Sequence, residues 1–321
     1  MELAPVIVFS YNRPVHLGET INRLSQNELA SETDLFIFCD GAKPGATDDQ
    51  RQKVIANREV AKKAKGFRSV HVCERENNYG LARNIIEGVS LIIDDFGKVI
   101  VLEDDLLTSR YFLKYMNEAL DYYEKRPGVM SISANRPPVN RMMIPSDYEY
   151  DVFVSLRSFS TGWATWKDRW SRVDWSLGYL DELMKHPEQV RAFNRAGDDM
   201  SDMLLLQRNR IIDSWAIQFC FAHFKEHSVA ILPCIPYVDN IGFDGSGIHS
   251  GTDETDFRND VDQAVKDPRF VDVLYEDSRI INSFYNYYCR KRRPLWKKVF
   301  NFIARKLGKQ PVFKIKKPVY A

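Results

Sequence analysis

No apolar stretch in this chain is long enough to span a bilayer. The N-terminus, Met1-Glu2-Leu3-Ala4-Pro5, has no basic region followed by a cleavable apolar segment, so no signal peptide is expected. Cysteine is sparse. The five residues, Cys39, Cys73, Cys220, Cys234 and Cys289, are odd in number and none are paired at metal-ligand spacing. That argues against a disulfide framework and a thiolate metal site, and predicts reduced thiols in a cytoplasmic protein. There is no internal repeat and no low-complexity tract. Acidic residues are absent from Arg290 to Ala321, where twelve Lys or Arg stand. The net charge of +1 therefore hides a body of −11 and a strongly basic tail.

What is present is an ordinary globular composition, 44% hydrophobic and 28% charged. Over the first 130 residues short apolar runs alternate with helical patterns. The runs are Val6–Phe9, Leu35–Cys39, Val70–Cys73 and Val99–Leu102. The helical patterns are His16–Leu29, Gln50–Lys65, Leu81–Ile93 and Tyr111–Tyr123. This order predicts an α/β fold, a mostly parallel sheet flanked by helices on both faces. Ligands of such sheets bind beyond the carboxyl ends of the strands. All four runs end in polar residues: Ser10, Asn12 and Arg13; Asp40-Gly41; Glu74, Arg75 and Asn77; and Glu103-Asp104-Asp105.

Adjacent carboxylates at a buried strand end repel one another and lose hydration, and a divalent cation relieves both costs. The same residues also fit a solvated loop before a helix started by Thr108 or Ser109. Asn78-Tyr79-Gly80-Leu81-Ala82-Arg83-Asn84 opens a helix. Its N-terminus and Arg83 could face an anion, or form a plain turn with a surface arginine.

Val8-Phe9-Ser10-Tyr11-Asn12-Arg13-Pro14, Cys39-Asp40-Gly41, Asn78 to Asn84 and Val101-Leu102-Glu103-Asp104-Asp105 together resemble GT-A glycosyltransferases, in particular bacterial relatives of family 2. The Leu-Glu-Asp-Asp form also resembles the N-acetylglucosaminyltransferase I group. The resemblance covers roughly the first 130 residues, weakens toward His249 and is absent from the tail. It implies a GT-A, Rossmann-like fold that uses Mn2+ or Mg2+ to move a sugar from a nucleotide-sugar donor to a hydroxyl of a glycan or lipid-linked acceptor. Ser10, Tyr11 and Arg13 would border the nucleotide, Asp40 the base, and Arg83 the diphosphate or sugar. Asp105 would bind the metal and Asp104 ribose or metal. Glu103 stands where the family has Asp.

The second half is expected to supply the acceptor site. Gly162 and Trp163, in Ser160-Thr161-Gly162-Trp163-Ala164-Thr165-Trp166, resemble a Gly-Trp-rich loop near the donor sugar. A tryptophan-rich core is the rival reading, above all for Trp170 and Trp175. Asp213 is the candidate general base of an inverting reaction, unless it caps the helix that follows. Asp198 and Asp199 stand in reserve. His249 ends a glycine-rich loop, Asn240 to His249, and is a candidate metal ligand or a surface residue.

The expected organisation is a nucleotide-sugar-binding half over 1–130, an acceptor-binding and catalytic half over 131–265, and a helical basic tail over 266–321. In the tail, Trp296, Val299, Phe300, Ile303 and Leu307 share one helical stripe flanked by basic residues. That pattern predicts peripheral attachment to the anionic inner face of the cell membrane; a helix packed on the domain is the alternative. No nucleic-acid motif accompanies the charge. By analogy the setting is bacterial surface polysaccharide synthesis. Two rivals remain: a sugar nucleotidyltransferase, which normally has a glycine-rich loop after the first strand, and a non-catalytic sugar-binding or membrane-adaptor protein.

Overall fold

The computed structural model describes residues 2–244 and 258–289. Its strands are β1 (Val6–Ser10), β2 (Asp34–Cys39), β3 (Ser69–Glu74), β4 (Lys98–Glu103), β5 (Leu106–Thr108), β6 (Val129–Ser133), β7 (Val152–Ser155), β8 (Trp163–Trp166), β9 (Val229–Pro233) and β10 (Val238–Asn240). The helices of the first half are α1 (Pro14–Ser25), α2 (Asp48–Lys62), α3 (Leu81–Phe96) and α4 (Phe112–Tyr123). Those of the second are α5 (Lys167–Trp170), α6 (Leu180–Lys185), α7 (Pro187–Phe193), α8 (Met200–Arg208), α9 (Trp215–Lys225) and α10 (Ser278–Tyr288).

Eight strands form one sheet in the order β3-β2-β1-β4-β8-β6-β9-β7. It is parallel from β3 through β4, and β8 then inserts antiparallel between β4 and β6. The fold is α/β, with a large, mostly parallel central sheet flanked by helices. The two-residue period of the strands explains the double cover. Val6, Val8, Leu35, Ile37, Ile100 and Leu102 pack into one cluster with α1 and α4. Ile7, Phe9, Phe38, Val99 and Val101 face the other way, toward α3, α9 and the tryptophans.

Two sequence expectations need correction here. Trp163–Trp166 is an inner strand of the sheet, not a loop. Trp163 is 1% exposed, with its ring centroid 4.7 Å from Trp215 and 5.4 Å from Phe219. The strand alternation turns it into the α3/α9 layer, so it offers no face to a sugar. Gly162 adopts φ +74 and packs against Ala134 and Val238. The core reading holds for Trp170, whose indole N–H donates to Ser90 Oγ at 2.9 Å. Cys39, Cys73, Cys220 and Cys234 are free.

Behind β6, His223 lies fully buried, with Nδ1 2.7 Å from the Phe219 carbonyl and Nε2 2.7 Å from Ser131 Oγ. The carbonyl can only accept, so Nδ1 carries the proton and Nε2 accepts from the serine. Burial pulls the His223 pKa down to about 4 from 6.5, against the help of that carbonyl. The unfolded chain therefore binds the proton first. The stabilisation is complete above about pH 6.5 and is lost as pH falls through about 4, a swing of about 3 kcal/mol. Urea unfolding at pH 7 and pH 4 is expected to show this loss, and His223→Gln should be flatter by most of that amount.

Candidate functional site

The carboxyl ends of β2, β1 and β4 lie side by side, with Phe9 opposite both Phe38 and Glu103. The residues just beyond them meet. Arg13 precedes Pro14, the first residue of α1, which keeps its backbone out of the helical region. Its guanidinium bridges two carboxylates: Nη2 donates to Asp104 Oδ1 in a short contact and to Asp105 Oδ2 at 2.9 Å. Asp104 also accepts the Tyr11 N–H at 3.4 Å, and its own carbonyl accepts from Thr20 Oγ1 at 2.8 Å. Burial opposes the charge on Arg13, but Asp104 and Asp105 outweigh it and raise its pKa. Burial, only partly offset by Arg13, pushes Asp104 up to about 6. Glu103 continues the face of Val99 and Val101. Burial first, then repulsion from Asp105 and Asp104, lifts it to about 8. A neutral Glu103 is how three consecutive acids are tolerated at a buried strand end.

Asp40 is used up internally. It accepts the N–H groups of Gly41 at 2.9 Å, Tyr79 at 2.8 Å and Gly80 at 3.1 Å, and the Asn78 amide at 2.9 Å. Its pKa is nonetheless raised, because desolvation outweighs those donors. Asp40 thus shapes the turn that starts α3. Tyr11 sits at the rim, its hydroxyl accepting the Lys43 N–H at 3.3 Å. Ser10 turns inward, where its hydroxyl accepts from the Asn57 amide at 2.9 Å. Arg83 is exposed, paired with Glu87 at 2.6 Å, and lies 4.2 Å from the Tyr79 ring centroid.

Asp213 does not cap its own helix. Ser214 does, accepting the Ile217 N–H at 3.4 Å. Asp213 Oδ2 instead reaches the Ala82 N–H at 3.4 Å and lies beside Gly80. It is an exposed carboxylate at the N-terminus of α3, next to the turn that Asp40 organises. The reserve Asp199 is withdrawn from this region by a buried pair with Arg157 at 2.9 Å, over which Tyr288 stacks. Asp198 lies near Cys289.

The second half reaches the acids through β10, which pairs antiparallel with β5. The Ile241 N–H donates to the Asp105 carbonyl at 2.9 Å. A Cβ at position 242 would collide with Asp105 Oδ2 and crowd Arg13 Nη1, so only glycine lets this segment pass. The sequence signal was the clustering of glycines in Asn240 to His249. His16, which pairs with Asp244 at 3.2 Å, had no sequence signal. His249 and the tail from Arg290 lie outside the described residues. Among the described residues no group of three or more His, Cys, Asp or Glu could hold a metal ion.

No protein-family model and no curated protein matches the chain. Solved structures with similar folds include residues 1–349 of S. aureus TarS in complex with UDP-GlcNAc. Identity to it is 14%, coverage is 74% of this chain and 57% of that one, and the TM-score is 0.40. The chain thus spans less than two thirds of that TarS chain. Glucosyl-3-phosphoglycerate synthase from Mycobacterium tuberculosis, solved with Mn2+, UDP and glucosyl-3-phosphoglycerate, is 13% identical over 57% of this chain and 66% of that one, with a TM-score of 0.33. A UDP-glucose pyrophosphorylase complexed with UDP-glucose is 11% identical over 72% and 90%, with a TM-score of 0.37.

Removing the guanidinium should expose how much the acids depend on it. Arg13→Ala leaves Asp104 buried without its cation, at an expected cost of about 3 kcal/mol in urea unfolding at neutral pH. Adding Asp104→Asn should recover a large part of that loss. Equal stabilities for the wild type and Arg13→Ala would show that the cluster is solvated.

Proposed function

We propose that the chain is a glycosyltransferase that moves a sugar from a nucleotide-sugar donor to a hydroxyl of a glycan or lipid-linked acceptor. The observation that carries this reading is the meeting of Tyr11, Arg13, the Asp40 turn and Asp104-Asp105 at the carboxyl edge of three parallel strands. Open sheets bind nucleotides at such an edge. Tyr11 and the Asp40 turn would border the base and ribose, with Asp104 on the ribose. Arg83 would turn from Glu87 toward the diphosphate or the donor sugar.

The reading includes a divalent cation at the cluster. Mg2+ or Mn2+ commonly takes one protein carboxylate and completes its shell with substrate phosphates. Asp105 would hold it, with His249 as a second candidate ligand. When bound, the ion supplies positive charge against the leaving diphosphate. Asp213 takes the proton of the acceptor hydroxyl while that oxygen attacks C1. The bond from C1 to the diphosphate oxygen breaks, and the configuration at C1 inverts. Positioning and charge neutralisation account for most of the acceleration in this scheme.

The reading extends to the cell. The basic tail would hold the protein against the anionic inner face of the membrane, near a lipid-linked acceptor of surface polysaccharide synthesis. No helix among the described residues is long and apolar enough to cross a membrane.

The decisive assay is release of nucleoside diphosphate from a panel of nucleotide-sugars with Mn2+, with EDTA, and in Asp105→Ala. Turnover that needs the metal and Asp105 is expected. No turnover with any donor, or turnover only as pyrophosphorolysis, would sink the reading. Asp213→Asn should keep donor affinity and lose transfer by about 10²–10⁴-fold. Near-normal transfer in that variant would remove Asp213 as the base. Truncation after Cys289 should abolish flotation with anionic vesicles and leave nucleotide binding intact. Equal flotation of full-length and truncated proteins would leave the tail as a packed helix.

A further inference from the structure

A cavity lies at the C-terminal end of α1 and is lined by none of the residues of the acidic cluster. It measures about 470 Å3 and opens between the end of α1, the β5–α4 turn and Asp262. That volume falls in the range of small-ligand sites. Arg23, Gln26, Asn27, Glu28, Thr108 and Arg110 form the rest of its lining. Every lining residue is polar or charged. With no aromatic or aliphatic side chain, it has no platform for a nucleobase and no pocket for an apolar group. The lining holds two guanidinium groups and two carboxylates, Glu28 and Asp262, so it has no net charge of its own; Lys266 also reaches Glu28, at 3.4 Å.

The cavity offers donors and acceptors together. Arg23 has no carboxylate partner among the described residues, and Arg110 is 3.6 Å from Glu28. Thr108 is 1% exposed, and its hydroxyl oxygen accepts from the Asn27 amide at 2.9 Å. That hydroxyl proton has no acceptor among the described residues. Asn27 is itself locked, its oxygen accepting the Leu113 N–H at 3.0 Å, so the cavity wall is rigid. A ligand rich in hydroxyls, each both donor and acceptor, matches this lining.

We propose that this cleft is a saccharide-binding subsite for a neutral glycan. Arg13 and Arg23 are ten residues apart along α1. Thr20 on the same helix bonds the Asp104 carbonyl and Thr108 is three residues from Asp105, so the cleft borders the acidic cluster while sharing none of its residues. Saccharide binding stands on the lining alone. Only the identity of the ligand as the acceptor glycan rests on the transferase reading.

The test uses the full-length protein and an array of neutral tri- to hexasaccharides of hexoses and N-acetylhexosamines, followed by calorimetry with the tightest binder. Arg23→Ala combined with Gln26→Ala, and separately Thr108→Val, should each weaken binding at least tenfold. Donor hydrolysis should be unchanged in both. Binding should persist in Asp105→Ala, which separates this site from the acidic cluster. Failure of every oligosaccharide to bind, equal affinity in the cleft variants, or displacement of the glycan by inorganic phosphate would overturn the proposal. Hydrolysis by the same preparations judges the transferase reading separately: glycan binding without hydrolysis would leave the cleft standing and the transferase reading fallen.

Discussion

A single guanidinium makes the end of β4 possible. Three consecutive acids at a strand that is buried on both faces would repel one another and lose water. Arg13 answers two of them at once, and the third, Glu103, is pushed toward its neutral form by its apolar surroundings. The arginine can do this because β1 and β4 are parallel neighbours in register, Phe9 opposite Glu103, so the segments leaving both strands run alongside each other. Pro14 then keeps the arginine backbone out of the helical region while α1 begins behind it. Thr20 on the same helix ties down the Asp104 carbonyl. The placement of α1, the charge balance and the shape of the strand end follow from this one pairing.

Asp40 does comparable work on the other side of β1. Its carboxylate gathers the backbone of Gly41, Tyr79 and Gly80 and the amide of Asn78, binding the exit of β2 to the entry of α3. Asp213 approaches the same entry from the second half. Two carboxylates thus frame a turn rich in backbone N–H groups, one buried and saturated, the other exposed. The first is held by four donors and organises the turn, while the second holds one N–H and is open to solvent.

The strand-helix alternation of the first half was legible because both sequence periods were clean. The runs Val6–Phe9, Leu35–Cys39, Val70–Cys73 and Val99–Leu102 each fall within an observed strand. The meeting of Arg13 with the acids was implied by the polar strand endings, although nothing in the sequence showed that Arg13 would bridge two carboxylates. The second half was less legible. Trp163–Trp166 is short, and the glycine before it reads as a loop, so an inner antiparallel strand was missed. Trp163 was assigned to a sugar because a tryptophan's large apolar face suits either a ligand or a core. Only the strand alternation, which turns it toward Trp215, decides between them. Ser10 and Asn57 meet across 47 residues, a contact that no local pattern encodes.

The sheet order has a consequence for how the two halves cooperate. β8 comes from the second half, yet it lies directly against β4, with Val101 opposite Trp163 and Val99 opposite Thr165. The strand that carries the acids is therefore braced by the first half on one edge and by the second half on the other. β10 adds a second brace past the strand end, through the Ile241 N–H to the Asp105 carbonyl. The bare backbone at Gly242 passes beside Asp105 and leaves the carboxylate in contact with Arg13 without a side chain in between. In a site that depends on fixed charges, holding the acids from both sides keeps their geometry in place before any ligand arrives.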